Sequence, residues 1–222
     1  MTIELAEVFG SPHIGVYAYA NDVAAFLPRD APAKVLKLVE ETLEVPVIRV
    51  SIARSRLLGV LMAGNDSSLI LPPIVYEEEV KELQEGVGDV KIVVLEGVKE
   101  TTPGNLVLAN DNACIVSSIL PEKAAETISR ALGVPCKRGN LGGFPLVGSV
   151  AVATNRALLL PPTLSEEEVE ELSDFFGVKA DVVTVNKGRI FLRSGIVANS
   201  KGALVGSETT GYELMKLQQL FP

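Results

Sequence analysis

The chain has 222 residues, 47% of them hydrophobic and 22% charged, with a mean hydropathy of +0.32; that is enough apolar surface for a sizeable core and excludes a disordered chain. Its net charge of −8 and pI of about 4.8 argue against extensive RNA or DNA binding, which runs on phosphate neutralisation by Lys and Arg, and favour docking on a basic protein surface. No apolar run reaches the ~18 residues a membrane helix needs, and the start, MTIELAEVFG, lacks a secretory signal, so Cys114 and Cys136 are expected to be reduced thiols in a cytoplasmic protein.

Residues 3 to 9, IELAEVF, read as a strand. The apolar run IGVYAYA follows and ends at Asn21, in the phrase NDVAAFLP. The same phrase returns at Asn65 (NDSSLILP), Asn110 (NDNACIVS), Asn155 (NRALLLPP) and Asn199 (NSKGALVG), at spacings of 44, 45, 45 and 44. Gly15, Gly59, Gly104 and Gly148 stand six or seven residues ahead of the first four. This regularity defines five repeats. Each reads as a strand before the Asn, a turn at the Asn, a second strand, an amphipathic helix and a third strand. The helical face shows in Val80, Leu83 and Val87, in Val169, Leu172 and Phe176, and in Leu214, Leu217 and Phe221. Ser165 with Glu168, and Thr210 with Glu213, have capping-box spacing. Third strands are VPVIRVSI, VKIVVLE, VPCKR and VKADVVTV.

The fifth helix runs into the C-terminus at Pro222, leaving repeat 5 without a third strand, while IELAEVF is a strand without a repeat. The expected solution is a closed α/β ring, one domain over 1–222, with the N-terminal strand completing the last repeat. A linear solenoid would need polar end-caps, and neither terminus resembles one. Asn21, Asn65, Asn110, Asn155 and Asn199 are expected to be turn-formers near the ring axis.

Reaction chemistry is thin. Such a ring resembles the pentein fold, which also houses guanidine-modifying hydrolases and transferases with a nucleophilic Cys and a His. Here the only His is His13, Cys114 lies in an apolar run, and Cys136 stands beside Lys137 and Arg138. GNLGGFPLVG (139–148) does not match G-x-G-x-x-G and reads as a linker between repeats. No Cys/His cluster has metal-ligand spacing, and the EEE runs at 77–79 and 166–168 suit first turns of helices. With no Trp and seven Phe, no stacking platform for bases is evident. No catalytic, metal or cofactor residue is assigned. A guanidine-modifying enzyme is kept as the alternative.

The whole chain resembles the translation initiation factor six family of archaea and eukaryotes. The specific stretches are PVIRVSIARSRLLGVLMAGN (46–65), TTPGNLVLANDNACIVS (101–117), LVGSVAVATNRALLLPP (146–162) and the closing ETTGYELMKLQQLF. The length matches the short archaeal form without the eukaryotic tail. The resemblance implies a pentein fold and a monomer that binds the large ribosomal subunit, mainly through a ribosomal protein and with little RNA contact. Bound there, it would block the small subunit sterically, and it implies a possible role in large-subunit biogenesis.

It further implies a docking surface at one end of the ring, around the starts of the first strands. Asn105, beside Gly104, falls on a contact position of the family. Val60 falls on another, where eukaryotic members carry Arg, and Arg54 and Arg56 could supply the charge instead. Five residues before each repeat Asn, the counterparts of Asn105 are Val16, Val60, Val150 and Ser194, mostly apolar, so a polar side chain at 105 fits either a contact or a turn.

Overall fold

In the computed structural model, which describes residues 2–221, strand β1 (Thr2–Ala6) precedes five copies of one unit. Repeat 1 runs α1 (Ile14–Tyr17), β2 (Tyr19–Ala20), β3 (Ala25–Pro28), α2 (Ala33–Leu43) and β4 (Val47–Val50). Repeat 2 runs α3 (Leu58–Leu61), β5 (Ala63–Gly64), β6 (Ser68–Leu71), α4 (Glu77–Val87) and β7 (Lys91–Val94). Repeat 3 runs α5 (Pro103–Leu106), β8 (Val107–Ala109), β9 (Cys114–Ser117), α6 (Glu122–Leu132) and β10 (Cys136–Gly139). Repeat 4 runs α7 (Val147–Val150), β11 (Val152–Ala153), β12 (Ala157–Leu160), α8 (Glu166–Phe176) and β13 (Lys179–Val182). Repeat 5 ends the chain with α9 (Leu192–Gly195), β14 (Ile196–Ala198), β15 (Gly202–Gly206) and α10 (Gly211–Leu220). Pro222 lies outside the described residues.

Each repeat builds a three-stranded sheet with its second strand in the middle, antiparallel to the first and parallel to the third. The tight turn between them permits the antiparallel pair, and the parallel pair requires the crossover helix. Every residue of β3, β6, β9, β12 and β15 is buried, which is why these segments read as unbroken apolar runs. The capping boxes at Ser165–Glu168 and Thr210–Glu213 are both formed.

Repeat 5 takes its third strand from the N-terminus. β1 lies parallel to β15, with Thr2 opposite Gly202 and Ala6 opposite Gly206. The cores make the same point. Phe26 and Val50 of repeat 1 pack with Leu69, Leu71 and Leu83 of repeat 2. Leu204 and Val197 of repeat 5 pack with Leu27, Leu43 and Val45 of repeat 1. Five cores lie between consecutive repeats, and the last one closes the circle, so no end face is left bare.

Two expectations are corrected. The first concerns the run before each Asn, read as a strand throughout: its first half is a single helical turn. These five turns (α1, α3, α5, α7 and α9) pack side by side around the axis. They approach so closely that a Cβ on Gly59 would lie 1.8 Å from the carbonyl oxygen of Gly15, and one on Gly104 2.1 Å from that of Gly59. Glycine is required there for close approach, with no demand on its φ.

The second concerns the cysteines. Cys114 and Cys136 are a disulfide, and among the described residues there is no free cysteine. They open neighbouring parallel strands in direct register, with Cα atoms 4.4 Å apart. That separation lies within bonding reach.

Candidate functional site

The one-turn helices form one end of the ring. Val16, Val60 and Asn105 each hold the third position of their helix, on α1, α3 and α5, which are adjacent in space. All three are half-buried. Asn105 donates its backbone N–H to the Thr102 carbonyl, and its side-chain amide makes no hydrogen bond among the described residues. Gly104 is buried against the Gly59 carbonyl, so its part is packing beneath the arc. Register around the ring shows the counterparts of Asn105 to be Val16, Val60, Ser149 and Ser194. Ser149 stands where Val150 was expected, so polar side chains at this position are commoner than the spacing indicated.

Arg54 and Arg56 lie on the turn leading into α3, and both are exposed. Arg54 stacks over Tyr76 at 4.5 Å and approaches Glu78 at 3.9 Å. Arg56 pairs with Asp30 and stacks over Phe9 at 4.9 Å, and Phe9 meets Tyr17 edge-on at 5.4 Å. Phe9 is 37% exposed and Leu57 40%. Thus one end of an acidic protein presents Phe9, Arg54, Arg56 and Leu57 around the arc.

This turn is held by a residue of the EEE run at 77–79, which the sequence assigns only to the first turn of a helix. Ala53 and Arg54 both have left-handed backbones, with φ of 54° and 56°, a costly geometry for such residues. Glu79, from the first turn of α4, accepts from the Ala53 N–H at 2.7 Å, the Arg54 N–H at 2.9 Å, the Tyr76 N–H at 3.1 Å and the Ser51 hydroxyl at 2.8 Å. Burial pushes this carboxyl up. The donors outweigh it and hold the pKa below the ordinary glutamate value. Glu213 does the same in repeat 5, accepting from Thr184, Lys187, Gly188 and Thr210. The recurrence of Glu at the same helical position was the available signal.

The repeat turns form the other end. Asn21 Oδ1 accepts from the N–H groups of Val23 and Ala24, and Asn65, Asn110 and Asn199 repeat this pattern. Their amides also reach the next repeat, as from Asn21 to the Asn65 carbonyl at 2.9 Å. Repeat 4 departs from this. There Thr154 forms the turn, its hydroxyl accepting from Arg156 and Ala157, and Asn155 falls one position later. Asn155 therefore joins the ring of Asp22, Asp66, Asp111 and Ser200. Four of the five backbone N–H groups in this ring bond the next side chain: Ser200 to Asp22, Asp22 to Asp66, Asp66 to Asp111 and Asp111 to Asn155.

Asn155 Nδ2 donates toward carboxylate oxygens of Asp22, Asp66 and Asp111 at 3.1, 3.0 and 2.8 Å. Three carboxylates converge there on one amide, which has two N–H bonds to give. Burial first, then the neighbouring Asp111 and Asp22, raises the Asp66 carboxyl to about 7. An Asp or Asn follows the turn residue in four repeats and Ser200 in the fifth, but their convergence needed the ring.

The axial cavity between the two ends is lined by Tyr19, Asp66, Asp111, Asn155 and Arg193 among others, and not by His13, Cys114 or Cys136. A cysteine nucleophile paired with His13 in the channel would need all of these relations reversed. Among the described residues there is no group of three or more His, Cys, Asp or Glu arranged to hold a metal ion. No helix of the described residues is long and apolar enough to cross a membrane.

Comparison with known proteins places this architecture. A translation initiation factor 6 from Pyrobaculum aerophilum is 42% identical over 214 residues, covering 96% of each chain. One from Pyrococcus horikoshii is 39% identical over 222 residues, covering 99% of this chain and 98% of its own. Among solved structures, a dimethylarginine dimethylaminohydrolase aligns with 79% of this chain and 70% of its own, at a TM-score of 0.47 and 14% identity. The profile of the eIF-6 family matches residues 3–220. The chain belongs to the eIF-6 family, whose members are translation initiation factors and not enzymes.

Proposed function

We propose that this protein binds the large ribosomal subunit through the one-turn-helix end of the ring and, while bound, sterically prevents the small subunit from joining. The observation that carries this reading is the unpaired amide of Asn105 on the arc it forms with Val16 and Val60. On the same arc, Phe9 packs on Tyr17 of α1 with Arg56 stacked on it, and Leu57 precedes α3, all three exposed. A polar group with no internal partner, on an arc that also carries exposed aromatic and guanidinium groups, has the composition of a protein contact.

The net charge of −8 favours a basic ribosomal protein over rRNA as the principal partner. Occlusion requires only a rigid body of sufficient size, which five interlocked cores provide. The protein acts as a monomer, in the cytoplasm, and the same binding supports a part in large-subunit biogenesis.

The test is co-sedimentation of purified protein with isolated large and small subunits, with joining scored in the same gradients. Binding to the large subunit alone, with fewer joined ribosomes, is the expected result. Binding to neither subunit, or to the small one, overturns the proposal.

A further inference from the structure

At the second position of the one-turn helices stand Gly15, Gly59, Gly104, Gly148 and, in repeat 5, Arg193. Four of the five positions leave no room for a Cβ, because a neighbouring carbonyl oxygen would lie 1.8 to 2.3 Å away. The fifth carries the largest cation available. Its side chain runs into the axial cavity, where the guanidinium faces carbonyl oxygens of repeat 2: Met62 at 3.4 Å and Gly59 at 3.5 Å. It also lies 5.2 Å from the ring centre of Tyr19 in repeat 1. Arg193 thus crosses the axis and links repeat 5 to repeats 1 and 2.

It has no ion-pair partner within 4.0 Å among the described residues. The cavity that receives it offers the Gly59 and Met62 carbonyls and the Tyr19 ring face to the guanidinium, and Asp22, Asp66 and Asp111 also line it. A planar, weakly hydrated cation suits such a cradle better than a compact ammonium ion does.

We infer that the axial cavity is a binding site for a guanidinium group, filled in the native chain by its own Arg193, and that this occupancy helps lock the ring. Arg193→Gly should vacate the site without straining the backbone, since four repeats already carry glycine there. The vacated site should then take up a small alkylguanidine in trans.

The test uses the full-length Arg193→Gly protein and n-propylguanidine, which reproduces the deleted side chain, at millimolar concentrations. The variant should melt roughly 3–8 °C below wild type. Propylguanidine should recover most of this loss saturably and leave wild type unshifted. The neutral n-propylurea and the ammonium ion n-butylamine should recover much less.

The inference fails if propylguanidine does not bind the variant, if the three compounds act equally, or if wild type shifts as much. If the variant does not fold alone, its refolding yield with and without propylguanidine decides, a gain supporting the site and none opposing it. Arg193→Gln is the second variant: it should melt below wild type, and an unchanged melting temperature overturns the inference.

Discussion

Asn155 Nδ2 stands 3.0 Å from Asp66 Oδ2, although the two residues are 89 positions apart in the chain. The contact joins repeat 4 to repeat 2 across the axis, and Asp22 and Asp111 complete the cluster. Such a cluster is most stable holding a proton. Asp66 is raised to about 7, against about 3.9 in an unfolded chain.

The sign of the pH effect follows. Between those two values the folded state binds more protons than the unfolded one, so this contribution is full below about pH 4 and declines as pH rises through about 7. The groups facing Asp66 are Asp22, Asp111 and Asn155, with Tyr19 and Arg193 deeper in the cavity. Wild-type protein should lose melting temperature between pH 5 and pH 8, and Asp66→Asn should flatten the decline, since an amide already serves at this position in repeat 4. Parallel curves for the two proteins would show that Asp66 does not carry the effect.

Asn105→Arg places a long cation on the arc at the one-turn-helix end. Large-subunit affinity should fall by about 1–3 kcal/mol, a usual cost of disturbing an interface contact. The melting temperature should stay within about 1 °C of wild type, because the side chain has no internal hydrogen bond to lose. Binding titrations beside thermal melts separate the two effects, and equal affinities would remove Asn105 from the interface.

Reduction of Cys114–Cys136 opens a link of sequence separation 22 between β9 and β10. Releasing a loop of that size should cost about 3 kcal/mol on the chain-entropy account. Thiol titration should find no free thiol in the native protein and two after denaturation with reductant. Melting with and without a phosphine reductant should show the loss, and a Cys114→Ser/Cys136→Ser double variant should match the reduced form.

Gly59→Ala drives a methyl group to within 1.8 Å of the Gly15 carbonyl oxygen and 2.6 Å of that of Ala18. Both are backbone atoms of a packed neighbour, so relief requires the repeats to move apart. Chemical denaturation should show a loss of about 3 kcal/mol or more. The exposed Gly211, with nothing within 4 Å of a Cβ, is the control and should tolerate alanine within about 1 kcal/mol.

The repeat, its period and the order of its three strands and long helix were legible in the sequence because the units share a hydrophobic pattern and all but the fourth share the turn Asn. Ring closure was legible as well: IELAEVF was a strand without a repeat, and α10 ended a repeat without a strand. The arc of Val16, Val60 and Asn105 could be proposed from resemblance, and its helical conformation could not. A four-residue apolar stretch satisfies strand and helix alike, and the close packing of five backbones around the axis selects the helical turn.

The tertiary structure alone decided what depends on register between distant segments. Cys114 and Cys136 open the second and third strands of one repeat, and only strand pairing brings them opposite each other. Thr154 replaces Asn as the turn residue in repeat 4 because a hydroxyl can accept the same two N–H bonds, which moves Asn155 into the carboxylate ring. Glu79 reads in sequence as one of three glutamates in a helix's first turn, and its buried position follows from where the turn at Ala53 and Arg54 returns. Composition and periodicity fix what one segment does by itself. They do not encode which side chains from separate repeats converge on an axis, because that geometry exists only after the ring has closed.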